Sequence, residues 1–176
     1  MTHAPLPLRP RRGLRHALLC AILAPFIAAS PVAAQPPAAE ATTEANRQLV
    51  RDAFDAWANG ESVFGELLAE NVEWTIHGSD PVAGTYTNRA DFVERASVPL
   101  ISRLAGPLVP EVHAIYADGD TVIVRFDGSA TTTSGAPYRN QFVWIFELAD
   151  GEVVRAEAFL DLSAYRTVVD NNAPRG

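Results

Sequence analysis

The feature that most constrains the fold is an alternation of apolar and polar residues from Tyr116 to Asp161. Alternation with a period of two predicts β-strands, because successive side chains of a strand point to opposite faces of the sheet. Turn signals at 118–120, 134–137 and 150–151 divide the stretch, and a further alternating run over 112–116 precedes it. The sequence therefore predicts four long antiparallel strands, with Val112, Ala114 and Tyr116 on one face of the first.

The first half of the chain has the apolar spacing of helices. One helix is predicted from Thr43 to the Asn59-Gly60 stop, and a short second helix over 61–69. The third opens at Asn88, an N-cap residue, and Pro99 should kink or split it. After Gly106 the period changes from helical to alternating, which is typical of an α+β domain. A curved sheet wrapped on three helices leaves a pocket between the two layers.

Residues 1–34 have the three parts of a signal peptide: a basic start, a short apolar run and small residues before a cleavage site. The protein is therefore expected to be exported, to the periplasm or the medium. Sec export is one route, and Arg11-Arg12 offers a twin-arginine alternative. The predicted organisation is a signal peptide at 1–34, a flexible spacer at 35–42, one domain at 43–170 and a tail at 171–176. Cys20, the only cysteine, falls within the leader.

The charge of the chain beyond the leader excludes several classes of function. That part of the chain has ten arginines and 21 aspartates and glutamates, which gives a net charge of −11. The sequence has no lysine. This acidity argues against nucleic acid and against anionic membranes as partners. The lack of lysine excludes Schiff-base catalysis. With only two histidines beyond the leader, His77 and His113, the sequence predicts neither a metal site nor a cofactor.

Arg125 and Asp127 are the main candidates for chemistry. They lie two residues apart on an apolar strand and so share one face of the sheet. Asp127 could serve as a general base whose pKa is set by burial and by Arg125, or the two could form a structural ion pair. If the alternate residues Val122, Val124 and Phe126 form the core, the pair lies in solvent instead of the pocket.

Aromatic and small residues on neighbouring strands supply the expected pocket walls. The candidate ligand-binding residues are Trp74, Ile76, Tyr86, Asn140, Phe142, Trp144 and Ala158. Asn140 either orients a ligand or is a satisfied buried amide. His77 is a potential proton shuttle, but it falls on the strand face opposite Trp74. Asp161 is expected to cap a helix or to contribute to an interface.

Four segments together carry a resemblance to a known family. They are WTIHGSDPVAGTY, ADGDTVIVRFDG, YRNQFVWIFEL and DGEVV followed by AFLD. The chain resembles, over about 44–168, the SnoaL-like branch of the nuclear transport factor 2-like superfamily, which includes ketosteroid isomerases, polyketide cyclases and limonene epoxide hydrolases. The resemblance implies a cone-shaped α+β barrel with a curved, mostly antiparallel sheet, a deep apolar pocket and a homodimer formed through the outer sheet face.

The epoxide hydrolases offer the nearest mechanistic comparison. Arg125 and Asp127 match two of their three water-activating positions, whereas Ala158 stands where the third, a carboxylate, is expected. The resemblance places the pair inside the pocket. The expected function is binding of a small apolar organic molecule, with cofactor-free acid–base isomerase or hydrolase activity. The alternative is a non-catalytic dimeric module for ligand binding or interaction.

Overall fold

A computed structural model of the chain describes Met1 and residues 38–175. Apart from Met1, the predicted signal peptide and residues 35–37 lie outside the described residues, so the leader and export stay predictions. The helices are α1 (Ala38–Ala58), α2 (Val63–Leu67), α3 (Arg89–Phe92), a π-helix (Val93–Ser97), α4 (Val98–Ile101) and α5 (Leu162–Asn171). The strands are β1 (Leu68–Ile76), β2 (Gly84–Tyr86), β3 (Val109–Asp118), β4 (Thr121–Thr131), β5 (Pro137–Ala149) and β6 (Glu152–Leu160).

The six strands form one curved, unclosed sheet in the order β2-β1-β6-β5-β4-β3. All neighbours are antiparallel except β1 and β6, which run parallel. The helices pack against one face, and the strands alternate between buried residues toward them and exposed residues away from them. This arrangement confirms the predicted α+β cone with a mostly antiparallel sheet.

Helix α1 begins five residues before the predicted start, so the predicted spacer is wrong over 38–42. Alanine and glutamate in this segment have high helix propensity. Contacts with the turn between β3 and β4 hold the helix: Thr43 Oγ1 accepts from Gly119 N at 2.9 Å, and Asn46 Nδ2 donates to Gly119 O at 3.0 Å. The segment is thus the first turn of a docked helix.

The third predicted helix begins at Asn88 and is interrupted near Pro99, as expected. Asn88 Oδ1 accepts from Asp91 N at 2.8 Å, which caps α3. Pro99 has no N–H to donate, and its ring would collide with the carbonyl one turn earlier in a regular helix. The preceding turn widens to π geometry, in which Val98 N donates to Val93 O. A short helix, α4, then continues the chain to Ile101.

The predicted face of β3 is wrong beyond Val112. The register with β4 shifts between Val112 and Ala114, which is the signature of a β-bulge. The bulge reverses the alternation, so Ile115 and Ala117 pack against the core while Tyr116 is 64% exposed. Sequence alternation could not show this, because one extra residue exchanges the two faces without changing the composition.

Helix α5 was not predicted from the sequence, although its cap was. Asp161 Oδ1 accepts from Ser163 N at 2.9 Å and from Ala164 N at 3.1 Å, so Asp161 is the N-cap. The predicted tail from 171 is also docked where the structure describes it, because Arg175 N donates to Ser102 O at 2.7 Å. None of the helices in the described part of the chain has the length and apolar character needed to cross a membrane.

Candidate functional site

An apolar cavity of about 90 Å³ lies between the inner face of the sheet and the helices. Five of the seven predicted ligand-binding residues line it: Trp74, Ile76, Phe142, Trp144 and Ala158. The other lining residues are Trp57, Phe64, Val82, Phe92, Ala96, Ser97, Leu100, Ile101, Leu108, Leu160 and Tyr165. The lining residues that come from the helices were not predicted to bind a ligand, although their apolar spacing predicted the helices themselves.

Strand pairing explains why the space exists at this place. Ala158 on β6 lies between Trp144 on β5 and Ile76 on β1, its register partners on either side. All three side chains point inward, and Ala158 is almost fully buried. A methyl group between two large side chains leaves volume that a larger residue would fill. The small residue predicted as a pocket floor therefore lies at the cavity wall.

Aromatic rings make up much of the cavity wall. Trp57 from α1 stacks on Trp144 with the ring centroids 5.7 Å apart, and Trp74 stacks on Phe92 at 4.1 Å. Phe64 meets Trp74 edge to face at 5.8 Å. Such pairs contribute about 0.5–1.5 kcal/mol each beyond their area burial. The wall is therefore stiff, apolar and suited to a flat or compact apolar molecule.

One fully buried polar atom of this wall stands out among the described residues. The indole Nε1 of Trp74 is buried and forms no hydrogen bond with any residue that the structure describes. The whole side chain is only 1% exposed. A buried donor without an acceptor typically costs about 1–3 kcal/mol.

The buried tyrosine hydroxyls nearby are satisfied by backbone carbonyls. Tyr165 donates to Ala96 O at 3.0 Å, and Tyr86 donates to Val82 O at 2.6 Å. Burial raises the pKa of Tyr165 to about 12 and also raises the pKa of Tyr86. Neither phenol can act as a base near neutral pH. Tyr86 was predicted to bind ligand, but it packs behind Phe92 and does not line the cavity.

Asn140, also predicted to bind ligand, is a satisfied buried amide. Its Oδ1 accepts from Gln141 N at 2.8 Å and from Asp161 N at 2.9 Å. Its Nδ2 donates to the hydroxyl of Tyr138 and to Asp161 O, both at 2.9 Å. All four hydrogen-bonding positions are in use, so the side chain joins β5 to the start of α5. It does not line the cavity.

The predicted inward orientation of Arg125 and Asp127 is wrong. Val124 and Phe126 are fully buried in the core, so the alternating pair lies on the outer face, 32% and 39% exposed. Arg125 Nη1 donates to Asp127 Oδ1 at 2.5 Å, and His113 Nε2 lies 3.1 Å from Asp127 Oδ2. These hydrogen bonds, Arg125 first, lower the pKa of Asp127. The geometry is that of an exposed ion pair, separated from the cavity by the sheet.

His77 is also on the outer face, as its place in the alternation indicates. Its Nε2 lies 2.7 Å from Glu157 Oε2, and its ring stacks on Phe159 with the centroids 4.4 Å apart. The ring cannot serve as a proton shuttle in the cavity from this position. Within residues 38–175, no cluster of three or more His, Cys, Asp or Glu side chains is placed to hold a metal ion.

An open groove of about 1080 Å³ adjoins the cavity. Phe64, Ser97 and Ile101 belong to the walls of both. The rest of the groove wall is more polar and includes Glu61, Glu70, Asn71, Asn88 and Arg89. The three shared residues thus lie where the cavity and the open groove meet.

Solved structures of other proteins share the fold of this chain. An NTF2-like protein from Burkholderia thailandensis E264 is 24% identical, covers 70% of this chain and 95% of its own, and has a TM-score of 0.58. A protein from Jannaschia sp. CCS1, described as a SnoaL-like polyketide cyclase, is 20% identical. It covers 81% of this chain and 100% of its own, with a TM-score of 0.59. At such identities the likeness establishes the fold.

A third neighbour was solved in complex with trimethylamine. This protein of ketosteroid isomerase-like fold from Catenulispora acidiphila DSM 44928 is 15% identical, covers 69% of this chain and 92% of its own, and has a TM-score of 0.53. No curated protein matches the sequence. The family model of the SnoaL-like domain matches residues 50–156, which is more than half of the chain and includes most of the cavity wall. The chain therefore belongs to the SnoaL-like family.

Proposed function

We propose that this protein binds a small, uncharged, apolar organic molecule in the cavity between its sheet and its helices. The observation that carries the proposal is the cavity of about 90 Å³ lined mainly by aromatic and aliphatic side chains. Apolar cavities of roughly 150 Å³ stay dry and bind benzene. A ligand here is therefore no larger than one small ring, unless wall residues move.

The lining favours binding over acid–base catalysis. Among the described residues, the cavity wall contains no carboxylate and no histidine. Its one titratable side chain is Tyr165, whose pKa of about 12 and hydrogen bond to Ala96 O leave it neutral and engaged. General acid–base catalysis needs a group whose pKa lies near the working pH and that reaches the substrate. We therefore favour the ligand-binding module over the isomerase or hydrolase.

The experiment is a titration of the purified protein with cyclopentane, followed by ¹H–¹⁵N NMR. Saturable shifts are expected at cavity-lining residues. The variant Ala158→Leu places three further carbon atoms in the cavity and should weaken binding at least about tenfold, or about 1.4 kcal/mol. Ala149→Leu makes the same change at an exposed site and should bind like the wild type. Absence of saturable shifts, or unchanged binding by Ala158→Leu, would contradict the proposal.

We also propose that the outer sheet face contacts a second copy of the chain. Ile123, Val143, Ile145 and Phe159 form an apolar strip there, since they are register partners or neighbours across β4, β5 and β6. Charges of both signs flank the strip, Arg125 and Asp127 among them. A two-fold interface can pair such charges with their opposites while covering the apolar strip.

A further inference from the structure

The N–H of Trp74 is the one fully buried polar group of the cavity wall that no described residue supplies with a hydrogen-bond partner. No described residue offers an acceptor to Nε1, although the indole is almost fully buried. Its neighbours are aromatic rings: Phe92 stacked on it, with Phe64 and Trp144 meeting it edge to face. The faces of such rings accept an N–H only weakly.

The neighbouring hydroxyls show that the fold otherwise supplies acceptors. Tyr165 and Tyr86 both reach backbone carbonyls within hydrogen-bond distance. Buried polar groups in native proteins are nearly always paired, so an exception calls for an explanation. Because other atoms of Trp74 line the cavity, a molecule inside it that moves a neighbouring ring aside is a candidate for the missing acceptor.

We propose that Trp74 Nε1 donates a hydrogen bond to an oxygen atom of the ligand and so determines its chemical class. Resting on the proposed function, this makes the ligand a small uncharged ketone, aldehyde or ether with one acceptor. A charged group would lie in the apolar cavity without a counter-ion, at a high desolvation cost. Nε1 has almost no accessible surface, so the ligand reaches it only after a neighbouring ring moves aside, at a smaller cost than leaving a buried donor unsatisfied.

The test compares two probes of nearly the same shape. Cyclopentanone carries an acceptor oxygen, whereas methylenecyclopentane has a CH₂ group at the same position. The ketone is expected to bind about tenfold more tightly. In ¹H–¹⁵N spectra, the indole N–H resonance of Trp74 should move downfield with the ketone and much less with the alkene. Equal affinities, or a shift confined to another indole, would overturn the inference.

Matched variants distinguish the role of Trp74 from that of the other residues that line the cavity. Trp74→Phe removes the N–H and should reduce the ketone preference to about one. Trp144→Phe makes the same change at the neighbouring indole of the sheet face, so both probes should bind more weakly while the preference remains. A preference retained by Trp74→Phe would assign the contact to another donor of the wall, such as the hydroxyl of Ser97 or the indole N–H of Trp57, and would overturn the inference.

The outcomes also separate this inference from the function on which it rests. Binding of both probes with equal affinity would refute the role of Trp74 and leave a hydrocarbon-binding cavity. Binding of neither probe, and none of cyclopentane, would refute the proposed function itself. The wild-type comparison of the two probes requires no substitution, so a variant that fails to fold does not prevent the test.

Discussion

Gly128 lies on β4 where the ring of Phe142 comes closest to the backbone. A Cβ at this position would lie 2.8 Å from Phe142 Cε2 and 3.2 Å from Leu108 Cδ1. The ring has little freedom to move, because it stacks on Phe126 with the centroids 4.7 Å apart. The absence of a side chain at Gly128 therefore sets the position of a cavity wall.

We expect Gly128→Ala to lower the free energy of unfolding by about 1–3 kcal/mol, the usual range for overpacking a filled core. Urea unfolding measures this change. Gly106→Ala is the control, because a Cβ there meets no heavy atom within 4 Å and the backbone conformation suits alanine. Equal stability of the two variants would show that Phe142 moves aside without cost.

The hydrogen-bond partners of Asn140 could be predicted only in part from the sequence. The sequence indicated that it lies on the same strand face as Phe142 and Trp144, and this is correct. Whether its amide was free for a ligand depended on Asp161, 21 residues later in the chain, whose backbone N–H and C=O both bond to it. Such partners are brought together only by the tertiary fold.

At the scale of elements, a paired carboxylate holds α5 against the loop before β2. Arg166 on α5 donates from Nη2 to Asp80 Oδ1 at 2.6 Å and from Nε to Oδ2 at 3.0 Å. The side chain of Asp80 is only 13% exposed. This bidentate hydrogen bond from Arg166 lowers the pKa of Asp80 and outweighs the opposing effect of burial. The same helix carries Tyr165 into the cavity wall.

Asp80→Asn should lower the Tm at pH 7 by a few degrees, because the arginine loses its charged partner. The folded pKa of Asp80 lies below its unfolded value near 3.8. The carboxylate therefore stabilises the fold fully above the unfolded pKa, and the contribution is lost as the pH falls through the folded pKa. Thermal melts should show the difference between wild type and variant shrinking below about pH 4.

Asp170→Asn is the matched control for this prediction. Asp170 lies farther from Arg166, with its Oδ1 3.5 Å from Nη1, and is well exposed. Its replacement should change the Tm little at any pH, since exposed pairs contribute little. A difference for Asp80→Asn that persists unchanged to pH 2 would show that the charge of Asp80 is not what stabilises α5.

At the scale of the whole molecule, substitutions on the outer sheet face test the proposed dimer. Ile145→Glu places a charge in the centre of the apolar strip and should weaken the proposed dimer at least about tenfold. Sedimentation velocity over a concentration series measures this. Val98→Glu, at an exposed apolar site on α4, should leave the association unchanged. A wild-type protein that stays monomeric at high concentration would contradict the proposal.

The sequence by itself determined the fold class, the three helices of the first half, the four long strands and five of the cavity-lining residues. These follow from periodicity, caps and turns, which act over a few residues. Only the tertiary structure decided that Arg125 and Asp127 face outward. Two faces of an alternating strand are equivalent in sequence until packing shows which one is covered, and the full burial of Val124 and Phe126 decides this. The bulge in β3 and the unpaired N–H of Trp74 likewise depend on contacts between segments distant in the chain.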